Sequence, residues 1–334
     1  VGKAELELDI TWEDGACAIT GFDSFDLHAS CHCGQAFRWR RSGSRGQLEE
    51  GVVRGKLLRL QQRSDVLLLH PPVDDEAVRI VIDYFRLRIP HAPTERAIAL
   101  TDDIMRRAVE RNRGLRVVAQ EPWECLISYI VSARNSIRQI SRTVERMAQT
   151  WGAPIGGAEI PGDGTCCNEL ANRPVCQQWD KGSCDIGQSL MRHAFPGPDE
   201  MSCATVEDLV ACKTGFRARS VWEAVCRVSS GEIDLDTIAS LDYPLAKKEL
   251  MRLRGVGEKV ADCVLLFSMG KYEAFPVDVW IERAVRHLYF DGQEICHREI
   301  REWAASKFGQ IAGHAQEYLF AYAREEIPEK LRKG

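Results

Sequence analysis

Lys259 stands in the first turn of a predicted helix, Glu258–Phe267, where the helix dipole disfavours a cation. A residue set against the dipole has either a surface setting or a chemical task. The residues before it narrow the choice. A predicted helix over Leu245–Leu253 runs into Arg254-Gly255-Val256-Gly257, and the lysine helix follows. Two glycines around one apolar residue make a tight hairpin, with the valine plugged into the core. Backbone N–H groups left free at the start of the second helix can bind a phosphate. Helix, hairpin and helix in this form grip a nucleic-acid backbone without reading bases; an ordinary two-helix packing unit is the plainer reading of Gly-x-Gly. Downstream, Phe275-Pro276-Val277-Asp278-Val279-Trp280 puts an aspartate at the N-cap of the next helix. A second cluster, Cys166, Cys167, Cys176 and Cys184, lies in a stretch rich in Gly, Pro and Asn. Four thiols can hold zinc. The paired Cys-x(2–4)-Cys knuckles are missing, so free or paired surface thiols are preferred to a metal centre.

The elements that must position these residues fall into two styles. Residues 5–13 alternate (Leu6, Leu8, Ile10, Trp12) at strand period, and 36–41, 50–62 and 66–70 continue so, bounded by Gly, Ser and Asp. They predict a mainly antiparallel sheet. Cys31 and Cys33, either side of His32, read as alternation at a strand edge. Asp74-Asp75-Glu76 opens a helix carrying Val78, Ile80, Val81 and Phe85. From about residue 94 the period becomes 3.6, with stripes at Trp123, Leu126, Ile127, Ile130 and at Ile137, Ile140, Val144, Met147. Residues 152–190 interrupt it as an inserted loop longer than compact domains usually carry. Helical stripes resume at 205–212, 218–228, 244–253, 258–269, 279–289, 298–308 and 311–325. The fold class is α+β: an N-terminal antiparallel sheet domain with helices over 1–93, an all-helical domain over 94–326 that carries the insert, and a tail at 327–334.

Composition sets the outer bounds. A chain of 334 residues has room for two or three domains. Thirteen cysteines, an odd number, without a signal-peptide pattern read as reduced thiols in a cytosol. Cys125, Cys212, Cys226 and Cys263 sit among apolar neighbours as small core residues. No run approaches the ~18 apolar residues of a membrane helix. Lys and Arg number 44 against 49 Asp and Glu, a net charge of −5. That disfavours coating nucleic acid through bulk charge but says nothing of a local basic face. Residues 111–150 hold Arg111, Arg113, Arg116, Arg134, Arg138, Arg142 and Arg146 against Glu121, Glu124 and Glu145, a local +4.

Leu253-x-Gly255-Val256-Gly257-x-Lys259-Val260-Ala261-Asp262-Cys263, followed by Pro276-Val277-Asp278-Val279, resembles the helix-hairpin-helix DNA glycosylase superfamily. The lysine marks the bifunctional branch, and Lys259–Cys263 is similar to the 8-oxoguanine DNA glycosylases. Three distant segments agree. Gly34-Gln35-Ala36-Phe37-Arg38-Trp39 resembles the family's Gly-Gln-Ser-Phe-Arg-Trp. Glu121-Pro122-Trp123-Glu124-Cys125-Leu126 resembles its Asp-Pro-x-Glu-Cys-Leu, and Phe308-Gly309-x-x-Ala312-Gly313-x-Ala315-Gln316-x-x-Leu319-Phe320 its last helix. The resemblance spans about residues 20–326 without the insert. It implies a TBP-like N-terminal domain before the helical glycosylase domain. It also implies that Lys259 is the nucleophile and that Asp278 holds it and stabilises positive charge developing on the sugar. The carbonyl of Gly34 would accept the proton that 8-oxoguanine carries at N7, Gln316 would bond the Watson–Crick edge, and Phe320 and Cys263 would line the two faces of the base. Phe216, in Gly215-Phe216-Arg217-Ala218-Arg219, would wedge into the stack, with Arg217, Arg134 and Asn135 at the estranged base. Gly255, Gly257, Val279 and Trp280 would meet the backbone. The implied partner is duplex DNA containing 8-oxoguanine, bound by a monomer without a membrane and, if the source is prokaryotic, in the cytoplasm at the nucleoid. No cofactor is required; a structural cation on hairpin carbonyls near Met251, Leu253 and Val256 is compatible with the family.

The chain departs from the eukaryotic pattern at Arg134-Asn135-Ser136-Ile137-Arg138-Gln139, where the family carries Asn-Asn-Asn-x-x-Arg. Contacts to the orphaned cytosine therefore differ. The histidine two after the aspartate is Trp280, and its supporting aspartate in the last helix is Ala323. Both members of a pair change together, which suggests a prokaryotic-type member with a rebuilt phosphate contact. An alkylated-base glycosylase of the same superfamily would lack the lysine. An iron–sulfur relative would need four closely spaced cysteines after the catalytic domain, where only Cys296 lies. A non-catalytic damage-binding module is the alternative of a different class.

Overall fold

The computed structural model describes residues 5–13, 15–43, 46–155 and 192–326. Cys166, Cys167, Cys176, Cys184 and the 327–334 tail lie outside the described residues. The chain opens with β1 (Asp9–Glu13), β2 (Ala16–Thr20), α1 (Leu27–His32), β3 (Trp39–Ser42), β4 (Leu48–Val53), β5 (Lys56–Arg63) and β6 (Val66–Leu69). The strands form one antiparallel sheet in the order β1-β2-β6-β5-β4-β3. Two sequence expectations are corrected here. The run 50–62 is a hairpin, turning at Arg54 and Gly55, both at positive φ, as a two-residue turn requires. Cys31 is in a helix rather than at a strand edge, because Asp26 caps α1 by accepting the Ala29 N–H at 2.7 Å.

Helix α2 (Asp75–Tyr84) covers one face of the sheet, after Asp74 has capped it. Trp39 on β3 lies over Gly51 of β4, where a Cβ would meet the indole ring at 2.6 Å. The same ring packs against Tyr84 and Phe85 and donates to the Tyr84 hydroxyl at 3.0 Å.

The rest is helical: α3 (Ala92–Ala99), α4 (Asp103–Arg111), α5 (Pro122–Ser132), α6 (Ile137–Trp151), the short pair β7 (Pro154–Ile155) and β8 (Arg192–His193), α7 (Val206–Ala211), α8 (Ala218–Ser229), α9 (Leu235–Ser240), α10 (Tyr243–Leu250), α11 (Glu258–Phe267), α12 (Val279–Tyr289), α13 (His297–Phe308) and α14 (Ala312–Glu326). Two cores form from these helices. One gathers α5, α6, α8, α10 and α11 around Leu126, Ile130, Val144, Val221 and Val264. The other brings α3 and α4 to α12, α13 and α14 around Met105, Ile281, Ile300 and Leu319. The cores are stitched across sequence: Phe37 packs in the first and Cys33 in the second. Where α14 passes α11, Gly313 admits Leu266; a Cβ there would lie 2.2 Å from its Cδ1. Such close packing brings the next turn of α14 to the face of α11 that carries Lys259. Among the described residues no helix is long and apolar enough to cross a membrane.

Candidate active site

The cleft lies where the two helical cores meet the turn after α1. It is lined by Gly34, Tyr129, Lys259, Cys263, Phe267, Pro276, Asp278, Gln316, Glu317 and Phe320. Residues from four distant parts of the sequence thus share one wall, among them every side chain assigned above to nucleophile, charge stabilisation and base contact.

Each is placed by local chemistry. Val256 is buried, and Leu253 with it, so the hairpin is anchored as its sequence predicts. Gly255 has φ +80, and a Cβ there would sit 2.7 Å from the Ser220 hydroxyl. Only glycine serves. Gly257 differs from expectation: its φ of −90 is ordinary, and open space surrounds the missing Cβ. The α11 N-terminus is thereby left uncovered. Beneath the hairpin, Asp262 is fully buried and accepts from the Tyr243 hydroxyl at 2.8 Å, while Lys247 Nζ lies 2.9 Å away. Burial lifts this carboxyl to about 6 against the pull of Lys247. The pair ties α10 to α11 and fixes the hairpin between them.

Lys259 points back to α5. Its Nζ donates to Ser132 Oγ at 3.3 Å and lies 4.8 Å from the centre of the Tyr129 ring. No ion pair joins it to Asp278 among the described residues. Asp278 is engaged as the N-cap of α12, its Oδ1 accepting the Ile281 N–H at 2.9 Å. Ser132 and Tyr129, rather than Asp278, therefore hold the amine. Cys263, one turn along α11, is buried, and burial pushes its thiol up to about 12 while Lys259 pulls it down. It is a neutral wall.

Gly34 has φ +116, and a Cβ there would meet Phe320 Cε1 and Ile137 Cδ1 at 3.3 Å. Gln35 fixes this turn. Its Nε2 donates to the carbonyls of Ser30 and Arg116 at 2.9 and 2.8 Å, and its Oε1 accepts the Val118 N–H at 3.0 Å. Its own carbonyl accepts from Gln120 Nε2 and Tyr129 Oη. From α14, Gln316 is buried with its Oε1 unpartnered. Beside it Glu317, 4% exposed, also leaves Oε2 unpartnered. Burial first, then Asp278, raises the Glu317 carboxyl to about 7, against a hydrogen bond from the Cys33 thiol and the charges of Arg324 and Lys259. Sequence reading missed Gln35, Tyr129, Ser132 and Glu317. One signal was present: an acid inside the otherwise uncharged run Ala315–Ala323.

Outside the cleft, Phe216 is 72% exposed, with the Arg217 guanidinium 4.2 Å from its ring centre. Arg217 itself is buried, and its guanidinium donates to the carbonyls of Ala133, Arg134 and Thr214. It holds the turn in which Arg134 adopts φ +51 and projects outward. Asn135 is spent on Val131 O and Ser136 N. Val279 is exposed and Trp280 half-buried at the start of α12. Ala323 packs against Ala284 where α14 meets α12. The local +4 of residues 111–150 is not all surface. Arg116 is buried on Asp23 and the carbonyls of Ser24, Arg86 and Ile89, and Arg111 pairs with Glu326.

Comparison with known proteins bears on the chain as a whole. Residues 20–126 match the family model described as 8-oxoguanine DNA glycosylase, N-terminal domain. A probable N-glycosylase/DNA lyase of Methanothermobacter thermautotrophicus is 32% identical over 93% of this chain and 97% of that protein. The structure of MBOgg1 in complex with a low-affinity DNA ligand superposes with a TM-score of 0.82 at 31% identity, over 96% of this chain and 99% of that one. The Clostridium acetobutylicum 8-oxoguanine glycosylase/lyase, bound to double-stranded DNA with cytosine opposite 8-oxoG, gives 0.81 at 29% identity, over 97% and 99%.

Proposed function

The chain belongs to the N-glycosylase/DNA lyase family, and from that premise we infer that it excises 8-oxoguanine from duplex DNA and then cleaves the abasic strand as a lyase. The observation that carries this is one cleft holding a lysine without a carboxylate partner, a glycine turn and an unsatisfied glutamine amide. In the reaction Lys259 attacks the anomeric carbon of the flipped nucleotide, the N-glycosidic bond breaks, and the base departs with the bonding electrons. The amine gives up its proton as the departing base takes one, the C1′–O4′ bond then opens to a Schiff base with O4′ leaving as a hydroxyl, and the Schiff base permits β-elimination of the 3′ phosphate. The attacking amine must be neutral. Asp278 offsets positive charge developing on the sugar.

Recognition rests on one proton. Guanine N7 accepts hydrogen bonds, whereas 8-oxoguanine donates from N7, so a carbonyl at Gly34 attracts the lesion and repels the normal base. The unpartnered Gln316 Oε1 supplies an acceptor for the Watson–Crick edge. The cavity measures about 50 Å³, enough for a few waters and too little for a purine. Half-buried Phe320 is the wall that must yield as the base enters. As a prokaryotic-type member the protein would work in the cytoplasm at the nucleoid.

Borohydride should trap the protein covalently on a duplex containing 8-oxoguanine and not on the undamaged duplex. An alkylated-base hydrolase or a binding module would give no adduct, and that result would overturn the reading. Each base placed opposite the lesion in turn measures what Arg134 and Gln139 have done to partner choice. Phe216→Ala should weaken binding of the damaged duplex roughly tenfold, since a stacked aromatic is worth ~1–3 kcal/mol. Its thermal midpoint should not move, because the ring is exposed. Unchanged affinity by fluorescence anisotropy would remove Phe216 from the interface.

A further inference from the structure

Neighbouring acids on β4 are treated very differently. Glu49 and Glu50 are both buried and point to opposite faces of the sheet. Glu50 is surrounded by guanidinium groups from Arg40, Arg59 and Arg192. Glu49 has, among the described residues, two histidines as its ion partners. His28 Nδ1 lies 2.8 Å from its Oε1 and His32 Nε2 lies 2.6 Å from its Oε2.

His28 and His32 are four apart on α1 and so share one helix face; their ring centres are 4.8 Å apart. The two nitrogens and the carboxylate all lie within 4.8 Å of one another. Two imidazoles and a carboxylate are the ligand set of an open zinc site, with water completing the tetrahedron. The surroundings suit that use. The Glu49 side chain is 7% exposed and fixed in a central strand, whereas that of His28 is 58% exposed. The site therefore has a rigid floor, an open side for entry and a place for water. Neutral histidines accept a metal by moving the ring proton to the other nitrogen.

We propose that His28, His32 and Glu49 form a binding site for a divalent zinc-type ion that staples α1 to the sheet. The staple lies two residues before Gly34. The Cys33 carbonyl between them already accepts from Arg324 Nη1 at 3.1 Å, so an ion on His32 would pin the turn that carries the glycine. The site stands whether or not the cleft accepts 8-oxoguanine.

Co2+ titration of the full chain tests it. One equivalent should bind with the visible absorption of a tetrahedral site. The band should lack sulfur-to-cobalt charge transfer, which separates this site from the cysteines of the insert. His28→Ala and His32→Ala should each weaken that binding at least roughly tenfold, while serine replacements at Cys166, Cys167, Cys176 and Cys184 leave it unchanged. Zn2+ should compete for the same equivalent and raise the thermal midpoint of the parent chain but not of His28→Ala. His28 is exposed, so its replacement does not threaten the fold. Absence of binding, or binding indifferent to both histidine replacements, would overturn the proposal.

Discussion

Lys259→Gln should form no borohydride adduct and should lose at least roughly 10³-fold in excision, as removal of a nucleophile does. The reason is specific to the amine. Glutamine can still hydrogen-bond Ser132 Oγ and lie against Tyr129, so the packing between α5 and α11 survives. Val256, Gly255 and the Asp262–Lys247 pair are untouched, so the hairpin keeps its shape. Affinity for the damaged duplex should therefore change by no more than about threefold, because phosphate contacts dominate it. Loss of reaction with retained binding is the signature of a missing nucleophile. An adduct that survived the replacement would place the nucleophile elsewhere, and loss of binding along with reaction would make Lys259 a positioning residue. Gel analysis after borohydride and anisotropy on the same protein separate these cases.

What sequence makes legible here is local chemistry with fixed punctuation. The hairpin was readable because Val256 between two glycines allows few other uses, and Asp278 because an N-cap acts within its own turn. Gly34 and Phe320 were readable only through resemblance, since nothing local ties residue 34 to residue 320. Gln35 shows what stays hidden. Apart from Ser30, its partners are Arg116, Val118, Gln120 and Tyr129, all more than 80 positions away, and a lone glutamine carries no periodic signal. Arginines mislead in the opposite way. Their charge is plain in the sequence, but Arg116 and Arg217 spend theirs on buried carbonyls, where a fork of donors satisfies several acceptors at once. The strand reading erred in boundaries for another reason: the Arg54-Gly55 turn lies between two short apolar pairs, Val52-Val53 and Leu57-Leu58, that one strand could also carry.

The acidic net charge is reconciled at the same level. The phosphate grip proposed for the hairpin would come from backbone N–H groups, which no count of lysines records. Exposed Arg134, Arg138 and Arg142 add cations on one side of α6 and the turn before it.

Glu317→Gln should stabilise the protein at about pH 8 by about 2–3 kcal/mol and leave it unchanged at about pH 4. The sign follows from burial. The Glu317 carboxyl is raised to about 7 in the fold, and a free glutamate titrates near 4.5. A raised acid contributes its full stability below the unfolded value and loses it as pH rises through the folded one. The parent chain should therefore lose stability between about pH 5 and pH 8, relative to the variant. Other shifted groups, Glu124 and Asp262 among them, titrate in both proteins and cancel in the difference. The cleft should register the same event. When Glu317 ionises, a second carboxylate joins Asp278 in the wall that holds Lys259, and negative charge is added beside the attacking atom. Single-turnover trapping by the parent chain should carry an inflection near 7 that Glu317→Gln lacks, with the variant relatively faster on the alkaline side. Parallel pH profiles, in stability and in trapping alike, would mean that this carboxyl is satisfied by its surroundings and takes no part in the field at the reacting atoms.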